Sequence, residues 1–178
     1  MTIDLDDPSR ATDAPLVDEP VDATLTDQEM EVARRVVELL DGRTIATAES
    51  CTAGRVAVAL ATVEHAASFL RGGLVAYQEQ VKRDLLGVTA ASVLSLEAAA
   101  QMAAGASHLL GADVTVATSG VAGDQTEEGT PPGTVYIATQ VGGLLNARHY
   151  RFDGTPQEVC ESARRQALLD LVAAMSPA

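Results

Sequence analysis

The chain has 178 residues, 47% of them hydrophobic and 21% charged, which suffices for one domain with a buried core and is too short for two comfortable ones. Its formal net charge of −13 argues against nucleic acid as a partner, because neutralising phosphates takes clustered Lys and Arg; a small anion held by backbone amides stays open. Two cysteines are too few for a disulfide framework, and no stretch has the make-up of a signal peptide or a bilayer-spanning helix, so a reduced, cytoplasmic protein without a membrane partner is expected.

Residues 1–25 hold seven acids (Asp4, Asp6, Asp7, Asp13, Asp18, Glu19, Asp22) against Arg10, with Pro8, Pro15 and Pro20 and no periodic apolar face. This composition predicts a disordered acidic tail, followed by one domain over 26–178. Thr26-Asp27-Gln28-Glu29 is a capping box, in which the Thr hydroxyl and the Glu carboxylate satisfy each other's orphan amides. The helix it opens carries Met30, Ala33, Val36, Val37 and Leu40 on one face, and Gly42 is suited to end it. A short strand over 44–48 and a helix from Thr52 to about Thr62 come next. Leu74 to Tyr77 reads as a strand preceded by Gly72 and Gly73, and Gln78 to Leu86 as helical.

Ser95 is placed to cap a long Ala-rich helix closing near Gly111, and Asp113 to Thr118 is strand-like. A loop rich in Gly, Pro and acids spans 119–132. Residues 134–139 and 145–152 predict two strands joined at Gly142-Gly143 as a hairpin. Thr155-Pro156-Gln157-Glu158 opens a last helix running to about Ala174, with Thr as cap and Pro at the first helical position. Aromatics are scarce (three Tyr, two Phe, no Trp), so the core must be built from Ala, Val and Leu, which lets helices sit close to a sheet. Alternating strands and helices predict an α/β fold, a layered α/β/α sandwich with a mixed sheet that includes a C-terminal antiparallel hairpin.

Ligands of such sheets bind beyond the carboxyl ends of the strands. Three segments occupy those positions. The first, 48–54, is a strand, a turn bearing hydroxyls and a thiol, then a helix. Ser50 there is exposed to a ligand whose oxygen the helical amides can favour; equally, Ser50 and Thr52 read as plain helix caps. The second, 77–82, supplies Lys82, a base for Ser50 if burial lowers its pKa, with Tyr77 to relay or orient; otherwise Lys82 is a solvated surface residue. The third, Ser119-Gly120-Val121-Ala122-Gly123, has the two glycines that turn successive amides toward an anion, or that merely make a flexible turn. His65, His108 and His149 fall on different elements and show no metal-ligand spacing. Asp124, Glu127 and Glu128 admit a magnesium site or a solvated loop, and would repel an approaching phosphate.

Together these segments resemble the CinA C-terminal family, the nicotinamide-nucleotide amidohydrolases. That family reads approximately AESCTGG where this chain has AESCTAG at 48–54, and YSNEAK followed by an LLGV-like stretch where it has YQEQVK at 77–82 and Leu85-Leu86-Gly87-Val88. SGIAGP or TGIAGP and then KPVGTV correspond to SGVAGD at 119–124 and TPPGTV at 130–135. The match in order and spacing covers about 27–175. The resemblance implies hydrolysis of the carboxamide of nicotinamide mononucleotide, a small-molecule nucleotide substrate, to nicotinic acid mononucleotide and ammonia. By that carry-over Ser50 is the nucleophile, Lys82 its base and Tyr77 an assisting group. Thr52, Gly54, Ser119, Gly120, Ala122 and Gly123 would form the substrate-binding surround. No metal or organic cofactor is implied, and self-assembly into a homo-oligomer is expected. Cys51 ranks behind Ser50 as nucleophile.

The chain also departs from the pattern. The family's FxGDRxxIR is replaced by 152–160, which puts Pro156 and Cys160 at the two arginine positions. Thr130 replaces the Lys of KPVGTV, Glu79 the Asn of YSNEAK, and the stretch before Ser95 is short. Arg164 and Arg165, one turn further on, are the nearest substitutes. These departures keep two alternatives in play: a catalytically inactive relative retaining the fold for binding or assembly, and a hydrolase acting on a less anionic amide.

Overall fold

A computed structural model describes residues 25–176. The tail expected over 1–25 thus lies outside the described residues, apart from Leu25, which is buried in the core. In chain order the elements are α1 (Asp27–Leu40), β1 (Ile45–Glu49), α2 (Arg55–Ala61), a 3₁₀ turn (Ala66–Ser68), β2 (Leu70–Val75), α3 (Glu79–Leu86), α4 (Leu96–Leu110), β3 (Val114–Gly120), β4 (Thr134–Val141), β5 (Leu144–Arg151) and α5 (Pro156–Met175).

The five strands form one sheet in the order β2-β1-β3-β4-β5. β1 pairs parallel with β2 and β3, whereas β4 is antiparallel to both β3 and β5, so the sheet is mixed and ends in the expected hairpin. Gly142 and Gly143 both take positive φ (55° and 86°), as the tight two-residue turn requires.

Strand periodicity sorts side chains by size. Ile45, Val114, Val116, Val135 and Ile137 face one core with α1, α2 and α5. Ala48, Ala117 and Ala138 face the other, against Ala98, Ala99, Met102, Ala103 and Ala106 of α4. Small residues on both sides of this second interface bring α4 close, and α3 then packs on α4. At Gly105 the approach is tightest: an added Cβ would lie 2.2 Å from the Leu86 carbonyl oxygen. The capping boxes at Thr26/Glu29 and Thr155/Glu158 form as the sequence predicts.

Several boundaries differ from expectation. α1 ends through Asp41, itself left-handed at φ 49°, one residue before Gly42. β2 begins at Leu70 and includes the glycines read as its leader. Gly72 (φ 142°) accommodates a bulge in the pairing with β1, and Gly73 leaves room for Thr47 and Ala57, within 2.8 Å of where its Cβ would stand. β3 continues through Ser119 to Gly120, so the loop starts later. The helix expected from Thr52 starts at Arg55, because Ala53 (φ 50°) and Gly54 (φ 94°) are left-handed.

Candidate active site

The carboxyl ends of β1 and β3, the start of α3 and the loop after β3 enclose a cavity of about 220 Å³. Ser50, Tyr77, Lys82, Gly120, Ala122 and Gly123 line it, with Cys51, Val93, Leu94 and three carboxylates, Glu79, Glu127 and Glu128. The three expected segments therefore meet at one place, although they lie some seventy residues apart along the chain.

The turn holding Ser50 is built around a residue that sequence reasoning missed. Glu49, 1% exposed, accepts five hydrogen bonds: from the hydroxyls of Thr47 (3.0 Å) and Thr52 (2.6 Å) and from the amides of Gly54 (2.9 Å), Val56 (3.1 Å) and Ala57 (2.8 Å). One buried carboxylate thus satisfies the first-turn amides of α2, whose N-cap Gly54 offers no side chain. The only signal in the sequence was an acid at the end of an apolar strand, followed by Thr and Gly.

Thr52, expected beside the substrate, lies fully buried behind the cavity, its hydroxyl shared between Glu49 and Thr118 (2.7 Å). Gly54, partly exposed, does not line the cavity either, and its amide donates to Glu49. Ser119, like Thr52, is buried, donating to the Val93 carbonyl at 2.8 Å and so bracing the wall from outside. The helix-cap alternative for Ser50 and Thr52 falls with the later start of α2.

Ser50 is 5% exposed, and its hydroxyl makes no hydrogen bond among the described residues. Its amide donates to Thr118 (2.9 Å), which pins the turn to β3. Lys82, the only lysine of the chain, is 3% exposed and not on the surface. Its Nζ donates to the Tyr77 carbonyl at 2.8 Å, without forming an ion pair. Burial, offset in part by Cys51 and by Glu127, Glu128 and Glu79, holds its pKa below the ordinary lysine range. Ser50 and Lys82 share the cavity without a direct hydrogen bond. The Tyr77 ring is 66% exposed at the mouth; the contact Tyr77 makes with Lys82 is through its backbone.

Cys51 is unsuited to nucleophilic work. Burial, reinforced by the neighbouring Cys160, pushes its thiol up to about 12, so it stays protonated at neutral pH. Cys160 is raised by burial too and donates from Sγ to the Cys51 carbonyl at 2.9 Å, tying α5 to the Ser50 turn. Arg164 is engaged elsewhere, in a buried ion pair with Glu29 that joins α5 to α1, and Arg165 is exposed. Neither lines the cavity. His149 packs against Tyr136, and among the described residues no three His, Cys, Asp or Glu side chains converge as metal ligands.

Next to this cavity, sharing Gly123, is a cleft of about 180 Å³ lined by Asp124, Arg151, Phe152, Asp153 and Pro156, among others.

A family described as the CinA C-terminal domain matches residues 29–175. A putative competence-damage inducible protein of Desulforamulus reducens is 39% identical over 132 residues, covering 71% of this chain and 32% of that relative. Protein YdeJ of Escherichia coli is 36% identical over 140 residues, covering 75% of this chain and 81% of YdeJ. The crystal structure of a CinA superfamily protein from Klebsiella pneumoniae superposes with a TM-score of 0.79 at 35% identity, covering 83% of this chain and 97% of that one. The chain spans about a third of the length of the longer relatives it matches.

Proposed function

The chain belongs to the CinA C-terminal domain family, and from that premise we propose that it is an amide hydrolase of the nicotinamide-nucleotide type, using Ser50 as nucleophile and Lys82 as base. The observation that carries the reading is the burial of the only lysine in the cavity that also holds an unpartnered serine hydroxyl.

Neutral Lys82 takes the proton of Ser50 as Oγ attacks the amide carbon. The oxygen becomes an oxyanion beside the Cys51 amide, which lines the cavity and has no backbone partner among the described residues. Protonated Lys82 returns its proton to the nitrogen, ammonia leaves, and an ester on Ser50 remains. Water then attacks the ester, losing its proton to Lys82, and the acid departs as Oγ is reprotonated. Water is consumed and ammonia released, with no net change at the enzyme.

Several features support this reading over a non-catalytic relative. The Glu49 network fixes the Ser50 turn, and a buried lysine without an ion pair is a costly feature to keep for packing alone. The test is ammonia release from nicotinamide mononucleotide and nicotinamide riboside, with Ser50→Ala alongside. Activity on either substrate that vanishes in a folded Ser50→Ala protein supports the mechanism; an active Ala variant refutes it. We place the activity in the cytoplasm, where both free thiols stay reduced. We also propose a homo-oligomer, which light scattering on the purified chain checks.

A further inference from the structure

The wall of the Ser50–Lys82 cavity has three carboxylates, Glu79, Glu127 and Glu128, and one basic side chain, Lys82. Glu79 accepts from Arg83 at 2.8 Å, which offsets its charge. Glu127 and Glu128 form no ion pair among the described residues, and Lys82 spends its hydrogen bond on the Tyr77 carbonyl.

Both acids are exposed, on a turn whose backbone is held. Glu127 and Thr130 exchange both backbone hydrogen bonds (3.1 and 2.7 Å), closing a tight turn with Glu128 at φ 47°. Glu128 also accepts from the Ser92 hydroxyl at 2.7 Å. The adjoining cleft repeats the balance, with Asp124 and Asp153 against Arg151, whose guanidinium donates to Thr134 at 3.2 Å. An anion placed in either half therefore meets more negative than positive charge. The exposed Tyr77 ring at the mouth offers its negative face to a cation. Within the same cavity the Ser50 hydroxyl, more than nine-tenths buried and without a partner, waits for a ligand group.

Resting on the amide-hydrolase reading, we propose that this site selects a carboxamide on a cationic aromatic ring that carries no phosphate. The amide reaches Ser50, while the ring charge faces Glu127, Glu128 and Tyr77. In the nicotinamide series the preferred substrate is the riboside, whose pyridinium is cationic, rather than its 5′-phosphate.

The test compares ammonia release from nicotinamide riboside and nicotinamide mononucleotide by the full chain at low ionic strength. Calorimetric binding of both to the Ser50→Ala protein is measured in parallel. The riboside should lead by about tenfold or more in kcat/KM and in affinity, as like-charge opposition to the phosphate predicts. The lead should shrink as salt is raised, and in Glu127→Gln/Glu128→Gln. Should that double variant fail to fold, the salt series on the parent decides the same point. A mononucleotide that equals or beats the riboside overturns the charge selection and leaves the hydrolase reading intact. Selective binding without turnover of either compound refutes the hydrolase and leaves the selection standing, and binding of neither overturns the selection.

Discussion

Ala53 takes φ 50° in the turn after Ser50, a left-handed conformation that strains any residue with a Cβ, and the resembling family motif has Gly there. Ala53→Gly relieves that strain but loosens the unfolded chain, so a net stabilisation of about 0.5–1 kcal/mol is expected in urea titrations. An unchanged or lower midpoint would show that the turn is not strained. For Lys82 the argument concerns protons. A base must be neutral, and burial lowers its pKa, so kcat/KM for ammonia release should rise with pH and level off below the ~10.4 of a free lysine. Lys82→Arg stays protonated throughout and should lose about 10²–10⁴-fold in activity along with that rise. A rise that persists in Lys82→Arg would move the base elsewhere. Such a profile was only half legible in the sequence. Lys82 could be picked out as a residue type, but its burial comes from chain segments far from it.

At the scale of elements, α3 and α4 are in contact through Gly105 and the Leu86 carbonyl. Gly105→Ala gains helix propensity but must push the two helices apart, with a net loss of about 1–3 kcal/mol expected from overpacking. Because Lys82 rides on α3, ammonia release should fall as well, in a protein whose circular dichroism stays native. Stability equal to the parent would mean that the two helices give way at no cost. The Gly-rich β2 and the delayed start of α2 share one lesson. Gly72 and Gly73 read locally as a leader to the strand and Gly54 as part of a helix, yet here they admit a bulge, a close helix and a carboxylate cap. Element existence followed from period and caps, whereas these boundaries followed from neighbours.

For the molecule as a whole, the ion pair between Glu29 of α1 and Arg164 of α5 clamps one layer of the sandwich. Burial alone would raise the Glu29 carboxyl, but the Thr26 amide, the Arg164 guanidinium and the Thr26 hydroxyl outweigh it and hold it below its usual value. A carboxyl depressed by folding adds stability above its unfolded pKa of about 4.3, and that contribution is lost as pH falls through the folded value. The melting temperature should therefore drop on acidification below about pH 4.5. In Glu29→Gln, which leaves Arg164 buried and uncompensated, stability at pH 7 should fall by about 3–5 kcal/mol, and the acid-side loss should flatten. If the acid limbs of parent and variant coincide, this clamp is not what acid releases.

The layered α/β fold with its terminal hairpin, both capping boxes and the three segments that meet at the cavity were all determined by sequence alone. Each depends on signals within a few residues: a two-residue alternation, a Thr-x-x-Glu cap, glycines at a turn. Tertiary structure alone decided which hydroxyl faces the cavity. Ser50 lines the cavity, whereas Thr52 and Ser119, equally polar in sequence, turn inward to Glu49, Thr118 and Val93. Packing likewise put the only lysine out of water, kept Cys51 a thiol, engaged Arg164 with Glu29 and brought Glu127 and Glu128 onto the cavity wall. Burial and electrostatic environment are set by what packs against a residue across the fold, and no local window of sequence contains that information.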